Sequence, residues 1–468
     1  MNAAVKPDPY LTGNFAPLHT EDDFAELPVL GEMPRDLHGM LVRNGPNPQF
    51  EPRDANHHWF LGDGMLHAFR IADRKVSYRN RYVRTPKWEA EHRAGHALFG
   101  SWGNPMTTDP AYVGKDSGVA NTNIVWHAKK LLALEEGHQP FAVDPQTLSP
   151  AGCVPLAGNA GRFTAHPKLD PQTGEMLFFG YGVGDMPLSA GMAYGVVDRE
   201  GNTTRLDRFT APFASMVHDF MVTRGHVMFP VLPLTLSLSR AMNGLPPVAW
   251  EPEQGARIGV MARDAAIDSI RWFQAPVCYV FHVMNAWEEG DRLFADVMEY
   301  PSAPLFPNAD GSRGAPARAV LVRWTLDLAA AGDTIGRRVL DDLAGEFPRI
   351  DDRRAGLAYR HGWFSASSGN ESDVKFDSIA HVDAITGNRK LYTLQKGDMT
   401  SEPVFVPRDA DAPEGEGWLL AVVYRGADDR SDLVVFDAQN IESGPVGTAA
   451  LPRRVPFGFH GNWVETIT

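Results

Sequence analysis

Again and again in this sequence, a short run of Val, Leu, Phe or Tyr reaches an Asp and then a turn built from Gly, Asn or Pro. "PFAVDPQTL", "HPKLDPQTGEMLFFGYG", "YGVVDREGNTT", "RWTLDLAAAGD", "IAHVDAITGNRKLYTL" and "LVVFDAQNIESG" all have this form. Runs of this kind are too short for helices and read as hairpin after hairpin. They recur evenly without a strict period, and no Ser/Gly-rich tract or long like-charge block divides the chain. A two-sheet sandwich needs only about 100 residues, so strands spread over 468 residues suit an all-β propeller, treated as one domain over residues 1–468. The 44 Gly and 36 Pro supply the turns, and 43% apolar with 10% aromatic residues supply the core. Helices should be few; "EDDFAEL" near the start and "LSLSRAM" before residue 243 are the best short candidates.

A net charge of -14 offers no basic footprint for a phosphate backbone, so nucleic acid is not an expected partner. The two cysteines, Cys153 and Cys278, have no paired spacing, which points to a reducing compartment rather than a disulfide framework. The N-terminal segment lacks an apolar signal core, and no stretch approaches the roughly 18 apolar residues of a membrane span. The expected location is therefore cytoplasmic. A surface-lying contact stays open, because Val231 to Trp250, "VLPLTLSLSRAMNGLPPVAW", is rich in Leu, Pro and Met; an ordinary packed loop explains the same residues.

Most of the sixteen histidines need no special account. His57 and His58 lie in a polar turn, and His92, His96 and His138 in charged or Gly-rich stretches where a surface position is the simpler reading. Four differ. His166 in "RFTAHPKLD", His218 in "ASMVHDFMV", His282 in "YVFHVMNAW" and His460 in "FGFHGNW" each sit in or beside an apolar, strand-like run. Taken singly, each is more readily a hydrogen-bonded core histidine. Together, on separate blades, they can meet only at a propeller's axis, where neutral imidazoles suit divalent iron, copper, nickel or zinc. Imidazole ligands need their second nitrogen held, and Glu136, Glu346 and Glu402 are the acids set beside apolar runs. No HExxH, nucleophile elbow or dinucleotide fingerprint in its proper context competes.

The chain also resembles the carotenoid cleavage oxygenase family, which includes lignostilbene dioxygenases and related phenylpropenoid-cleaving enzymes. "VRNGPNPQF", "FLGDGMLHAF", "ANTNIV", "TAHPKLDPQTGEM", "HDF", "FHVMNAWEEGD", "EFPRID", "SEPVFVPR", "SDLVVFDAQNIESGPV" and "FHGNW" carry the likeness nearly end to end. It implies a seven-bladed propeller with a cap of loops and helices over its top face. It implies Fe(2+) bound by His166, His218, His282 and His460. Glu136 would orient His218, Glu346 would orient His282 and Glu402 would orient His460, while His166 has no carboxylate. The reaction implied is O2-dependent cleavage of an apolar alkene's C=C bond to two carbonyls through a dioxetane or related oxygenated intermediate.

Lignostilbene-type members pair a tyrosine with a lysine to bind a phenol. Trp102 and Glu135 stand at those places here, and a glutamate repels a phenolate. The expected substrate is therefore a carotenoid or apocarotenoid, with a lignostilbene or phenylpropenoid as the alternative. "NRYVRTPKWEAE" and "HRAGHALFGSW" look closer to that alternative branch. A non-catalytic binding propeller is the remaining reading, and a calcium-holding hydrolase the weakest, since it needs oxygen ligands at the axis.

Overall fold

A computed structural model describes residues 8–53, 57–101, 105–369 and 375–465. Seven antiparallel sheets follow one another along the chain and form the seven blades of a propeller. Blade 2 spans Asn123–His127 to Pro150–Cys153, blade 3 Lys168–Leu169 to Thr203–Thr210, and blade 4 Met221–Val222 to Arg271–Ala275. Blade 5 spans Tyr279–Glu289 to Gly336–Asp341, blade 6 Gly345–Ile350 to Arg389–Thr393, and blade 7 Met399–Thr400 to Gly447–Leu451. Inner strands of several neighbouring blades touch, among them Gly461–Glu465 with Asn123–His127 and Tyr279–Glu289 with Gly345–Ile350.

The turn aspartates do what their spacing suggests. Asp144 accepts the amides of Gln146 and Thr147, Asp170 those of Gln172 and Thr173, and Asp383 those of Ile385 and Thr386. Each carboxylate thus satisfies amides that the tight turn leaves without a ladder partner.

Blade 1 is assembled from both ends of the chain. Its innermost strand is Gly461–Glu465, which pairs with Gly39–Pro46 in the register Gly39↔Glu465 to Arg43↔Gly461. The N-terminal strand Val29–Gly31 pairs in turn with Thr448 and its neighbours at the edge of blade 7. Gly39 is required by close approach: a side chain there would run into the Trp463 ring. The apolar run "PFGFHGNW", residues 456–463, is thus interior structure, its last three residues lying in the inner strand of blade 1.

Helices are few, with one of the two expected segments recovered. Leu238–Met242 is helical, capped by Ser237. "EDDFAEL" is not; it holds the strand Asp23–Phe24, drawn onto Lys75–Tyr82 by ion pairs of Asp23 with Arg79 and Arg81. The longest helix, Pro86–Ala94, was unanticipated although its signals are plain: Thr85 accepts the Trp88 amide, Pro86 opens the first turn and Gly95 closes it at φ 74°.

That helix is riveted to blade 1 by a buried triad. Lys87 lies 2.7 Å from both Asp63 and Glu91, and Glu91 also accepts the Leu98 and Phe99 amides at 2.8 and 3.2 Å. Replacing Lys87 with Met strands two carboxylates out of water, so the variant is expected to lose about 3–5 kcal/mol of stability. Urea titration of the two proteins checks this, and unchanged midpoints would refute it.

Candidate metal centre

Each blade delivers one ionisable side chain to the axis. His460 precedes the inner strand of blade 1, and Glu136 follows the second strand of blade 2, Lys130–Leu134. His166 and His218 immediately precede the first strands of blades 3 and 4, and His282 lies within that of blade 5. Glu346 lies in the first strand of blade 6, and Glu402 between Met399–Thr400 and Val404–Pro407 of blade 7.

Backbone irregularities aim several of them. The pairing register shifts between Val280 and Val283, across His282, and again between Glu346 and Arg349. Such bulges turn a side chain out of the ordinary alternation. Phe347, next to Glu346, is buried at φ 56°, strain of the kind concentrated at functional sites.

The four imidazoles converge, their ligand atoms all within 4.8 Å of one another. All four are buried, and His166 Nε2 stands 3.0 Å from His218 Nε2. Glu136 Oε1 contacts His218 Nδ1, Glu346 Oε2 contacts His282 Nδ1, and Glu402 Oε1 lies 2.9 Å from His460 Nδ1. The three expected pairings are therefore present as contacts, and no carboxylate among the described residues contacts His166. With a proton on each carboxylate-facing Nδ1, the Nε2 lone pairs point inward.

Burial, and after it the charges of the other three histidines, puts His166 well below its ordinary pKa. Burial also lowers His460 to about 4, against the pull of Glu402. For His282 burial works downward too, but Glu346 outweighs it and the net direction is up. Burial alone would raise Glu402; His460, Arg349 and the Gly461 amide together bring it to about 2. A buried, partnerless His282 Nε2 among three further inward-facing imidazoles fits a divalent transition metal. An all-nitrogen donor set does not fit calcium.

The sequence reading missed a supporting layer. Asp219 accepts the Val283 amide at 2.9 Å and lies 2.7 Å from Lys168, so it ties together the segments bearing His166, His218 and His282. Tyr181 donates to Glu136. Arg349 donates to the Gly461 carbonyl at 2.8 Å and to Asn462 Oδ1 at 2.9 Å, and stands 3.4 Å from Glu402. The signal for Asp219 and Lys168 was their place beside the histidines in "HDF" and "HPK"; nothing local marked Tyr181.

A cavity of about 2320 Å³ opens over three of the histidines, His218, His282 and His460. Aromatic rings collar them: Phe281 lies 5.1 Å from His218, and Phe347 lies 5.3 Å from both His282 and His460, measured between ring centroids. Glu135 and His138 line the same cavity, and the His138 side chain is 37% exposed. His57 and His58 are not in a solvated turn; burial lowers His58 to about 4, and its ring stacks on Phe306. Trp102 lies outside the described residues. The Val231–Trp250 segment is mostly a packed hairpin, Leu234–Leu236 against Val248–Trp250, with Met242 and Leu245 exposed between. No helix among the described residues is long and apolar enough to cross a membrane.

The family model described as retinal pigment epithelial membrane protein matches residues 15–465. The chain belongs to the carotenoid cleavage oxygenase family. Within it, isoeugenol monooxygenase of Pseudomonas putida is 41% identical, covering 97% of this chain and 98% of that one. Lignostilbene-alpha,beta-dioxygenase isozyme III of Sphingomonas paucimobilis is 37% identical over 97% and 96%. A carotenoid cleavage oxygenase of Mycobacterium tuberculosis is 32% identical over 99% of each chain. The crystal structure of Pseudomonas brassicacearum lignostilbene dioxygenase superposes with a TM-score of 0.94 at 34% identity, covering 98% of this chain and 99% of that one. Membership makes the protein an enzyme of a dioxygenase family. The order of identities runs against the carotenoid preference drawn from Trp102 and Glu135.

That preference assumed a bare glutamate charge, and Glu135 is not bare. Its Oε1 accepts the Val119 amide at 2.6 Å and the Ala120 amide at 3.2 Å, and His138 Nδ1 stands 3.1 Å away. Glu135 is the main influence raising the His138 pKa, against burial. The repulsion argument loses most of its force once the carboxylate is paired.

Proposed function

We propose that the protein is an iron(II) dioxygenase that cleaves the C=C bond of an aromatic alkene, of the phenylpropenoid or stilbene class, to two carbonyl products. His166, His218, His282 and His460 would hold the iron, with Glu136, Glu346 and Glu402 holding three of the rings. The four convergent, buried imidazoles carry this reading. The aromatic rather than carotenoid substrate rests on the identities of 41% and 37% to the isoeugenol and lignostilbene enzymes, against 32%.

Iron bound there would supply an open coordination position for dioxygen and the redox capacity for inserting it. Glu136, Glu346 and Glu402 keep each Nδ1 protonated and offset part of the 2+ charge that neutral ligands leave in place. Phe281 and Phe347 border the metal position on the cavity side, present flat apolar faces to a conjugated substrate and keep bulk water from the reacting bond. Asp219 holds the His218 and His282 segments at fixed separation by accepting the Val283 amide.

The test is incubation of the iron-loaded protein with isoeugenol, a 4-hydroxystilbene and an apocarotenal, in air and without oxygen, with products identified by mass. Oxygen-dependent aldehydes from either aromatic alkene support the proposal. Cleavage of the apocarotenal alone would overturn its substrate half and leave the iron chemistry standing.

A milder perturbation addresses the carboxylates. Glu402→Gln keeps the side chain's shape but removes the charge facing His460. The expected loss is about 10- to 100-fold in activity, with the thermal transition still cooperative; wild-type turnover would show the charge to be dispensable.

A further inference from the structure

We propose that Arg43 is a positioning residue for the metal site, its buried guanidinium fixing the Phe459–His460 peptide and so keeping the His460 imidazole convergent with the other three. This rests on the reading of His460 as a metal ligand and extends the site to a residue outside the histidines and their carboxylates.

His460 stands one residue before the strand Gly461–Glu465, yet every backbone polar group from Phe459 to Gly461 is engaged. The Phe459 amide donates to the Asn44 carbonyl at 3.0 Å, the His460 amide to the Thr122 carbonyl at 3.2 Å, and the His460 carbonyl accepts the Asn44 amide at 2.8 Å. The Gly461 amide donates to Glu402 Oε2 at 2.8 Å, and its carbonyl accepts Arg349 Nη1 at 2.8 Å. The sixth group, the Phe459 carbonyl, accepts Arg43 Nη2 at 3.2 Å. Two guanidiniums thus hold the carbonyls on either side of the His460 residue, and of the two only Arg349 touches Glu402 directly.

Arg43 is an expensive way to satisfy one carbonyl. It lies opposite Gly461 in the blade 1 pairing and is buried. Beyond Phe459 it has no hydrogen-bond or ion-pair partner among the described residues, and its Nε is buried with none. Burial lowers its pKa to about 10, with Glu402 opposing the shift, so the group stays charged at neutral pH. A buried, nearly unpartnered cation costs stability, and local costs of that kind are expected where function requires them. Arg43 does not line the large cavity, which separates it from the substrate. What it does face is the His460 segment, through the Phe459 carbonyl directly and through its charge on Glu402, the carboxylate that engages His460 Nδ1.

The experiment compares full-length wild-type protein, Arg43→Met and Arg43→Lys, each loaded with ferrous ion without oxygen and, separately, with cobalt(II) as an optical probe. Arg43→Met is expected to bind ferrous ion about 10- to 100-fold more weakly and to shift the visible bands of the cobalt form, while its metal-free melt stays within a few degrees of wild type. The rise in melting temperature on loading should shrink in step with the affinity. Arg43→Lys, which keeps the charge and a donor, is expected to regain most of the affinity. Wild-type ferrous affinity and cobalt bands in Arg43→Met overturn the proposal. So does a drop in melting temperature that is equal in the metal-free and loaded forms, the mark of a residue that only holds blade 1 together. Should Arg43→Met not fold, Arg43→Gln takes its place with the same outcomes. If wild-type protein binds neither metal, the metal-ligand reading itself falls, a result distinct from failure of the Arg43 assignment alone.

Discussion

His460→Ala is expected to yield a folded protein that holds roughly one tenth of the wild-type metal or less and does not turn over. The fold should survive because the residue's structural ties are through its backbone. Its amide donates to the Thr122 carbonyl at 3.2 Å, and its carbonyl accepts the Asn44 amide at 2.8 Å; alanine keeps both. What is lost is one of four converging imidazoles, and with it the group that engages Glu402. Elemental analysis after reconstitution with ferrous ion, beside a thermal melt of the metal-free forms, checks both halves. Full metal content would remove His460 from the coordination sphere, and collapse of the melt would show that the ring itself holds blade 1 together.

Deleting everything after His460 should be worse. The strand Gly461–Glu465 supplies the inner edge of blade 1, the Gly461 amide accepted by Glu402 and both polar partners that Arg349 reaches across the axis. Each lost ladder bond costs about 1 kcal/mol, and the lost contacts of Arg349 and Glu402 with the strand add about 1.5–3 kcal/mol apiece, although Arg349 keeps Asp352 and Glu402 keeps His460. The sum is comparable with the whole stability of an ordinary domain, about 5–15 kcal/mol. The truncated chain is therefore expected to lack a cooperative thermal transition and to aggregate. A sharp melt within a few degrees of the full-length protein would show that the propeller closes without its last strand.

The propeller was legible because its evidence is local: a strand, an aspartate and a turn each occupy a few consecutive residues. Asp144, Asp170 and Asp383 make the contacts their spacing suggests. The four histidines and three glutamates were legible as a set because each sits beside an apolar run, the histidines on separate blades, and the likeness to a family then paired them; any one of them alone reads as a core or surface residue. Helix Pro86–Ala94 was within reach through its Thr85-Pro86 start and Gly95 stop. "EDDFAEL" misled because helix-forming residues were recruited to an edge strand by two arginines distant in sequence. Asp219 was marked only by its place beside His218, and Tyr181 and Arg349 could not be read out, because each matters through a partner on another blade. Glu135 shows the limit most sharply. Its identity was read as a repelling charge, whereas its effect depends on Val119, Ala120 and His138, which meet it only in the folded chain.

The distribution of the imidazoles over the chain also sets an order of manufacture. Synthesis runs from the N-terminus, and His166, His218 and His282 leave the ribosome well before His460, the last of the four in the sequence. A growing chain can thus offer at most three of the four nitrogens, on blades whose ring is still open. A four-nitrogen site can form only once the strand after His460 has joined blade 1, so any metal it takes would be selected by the closed ring and not by the first ion to meet a nascent histidine. Purified, folded, metal-free protein should accordingly reach full occupancy when ferrous ion is added, with no unfolding step.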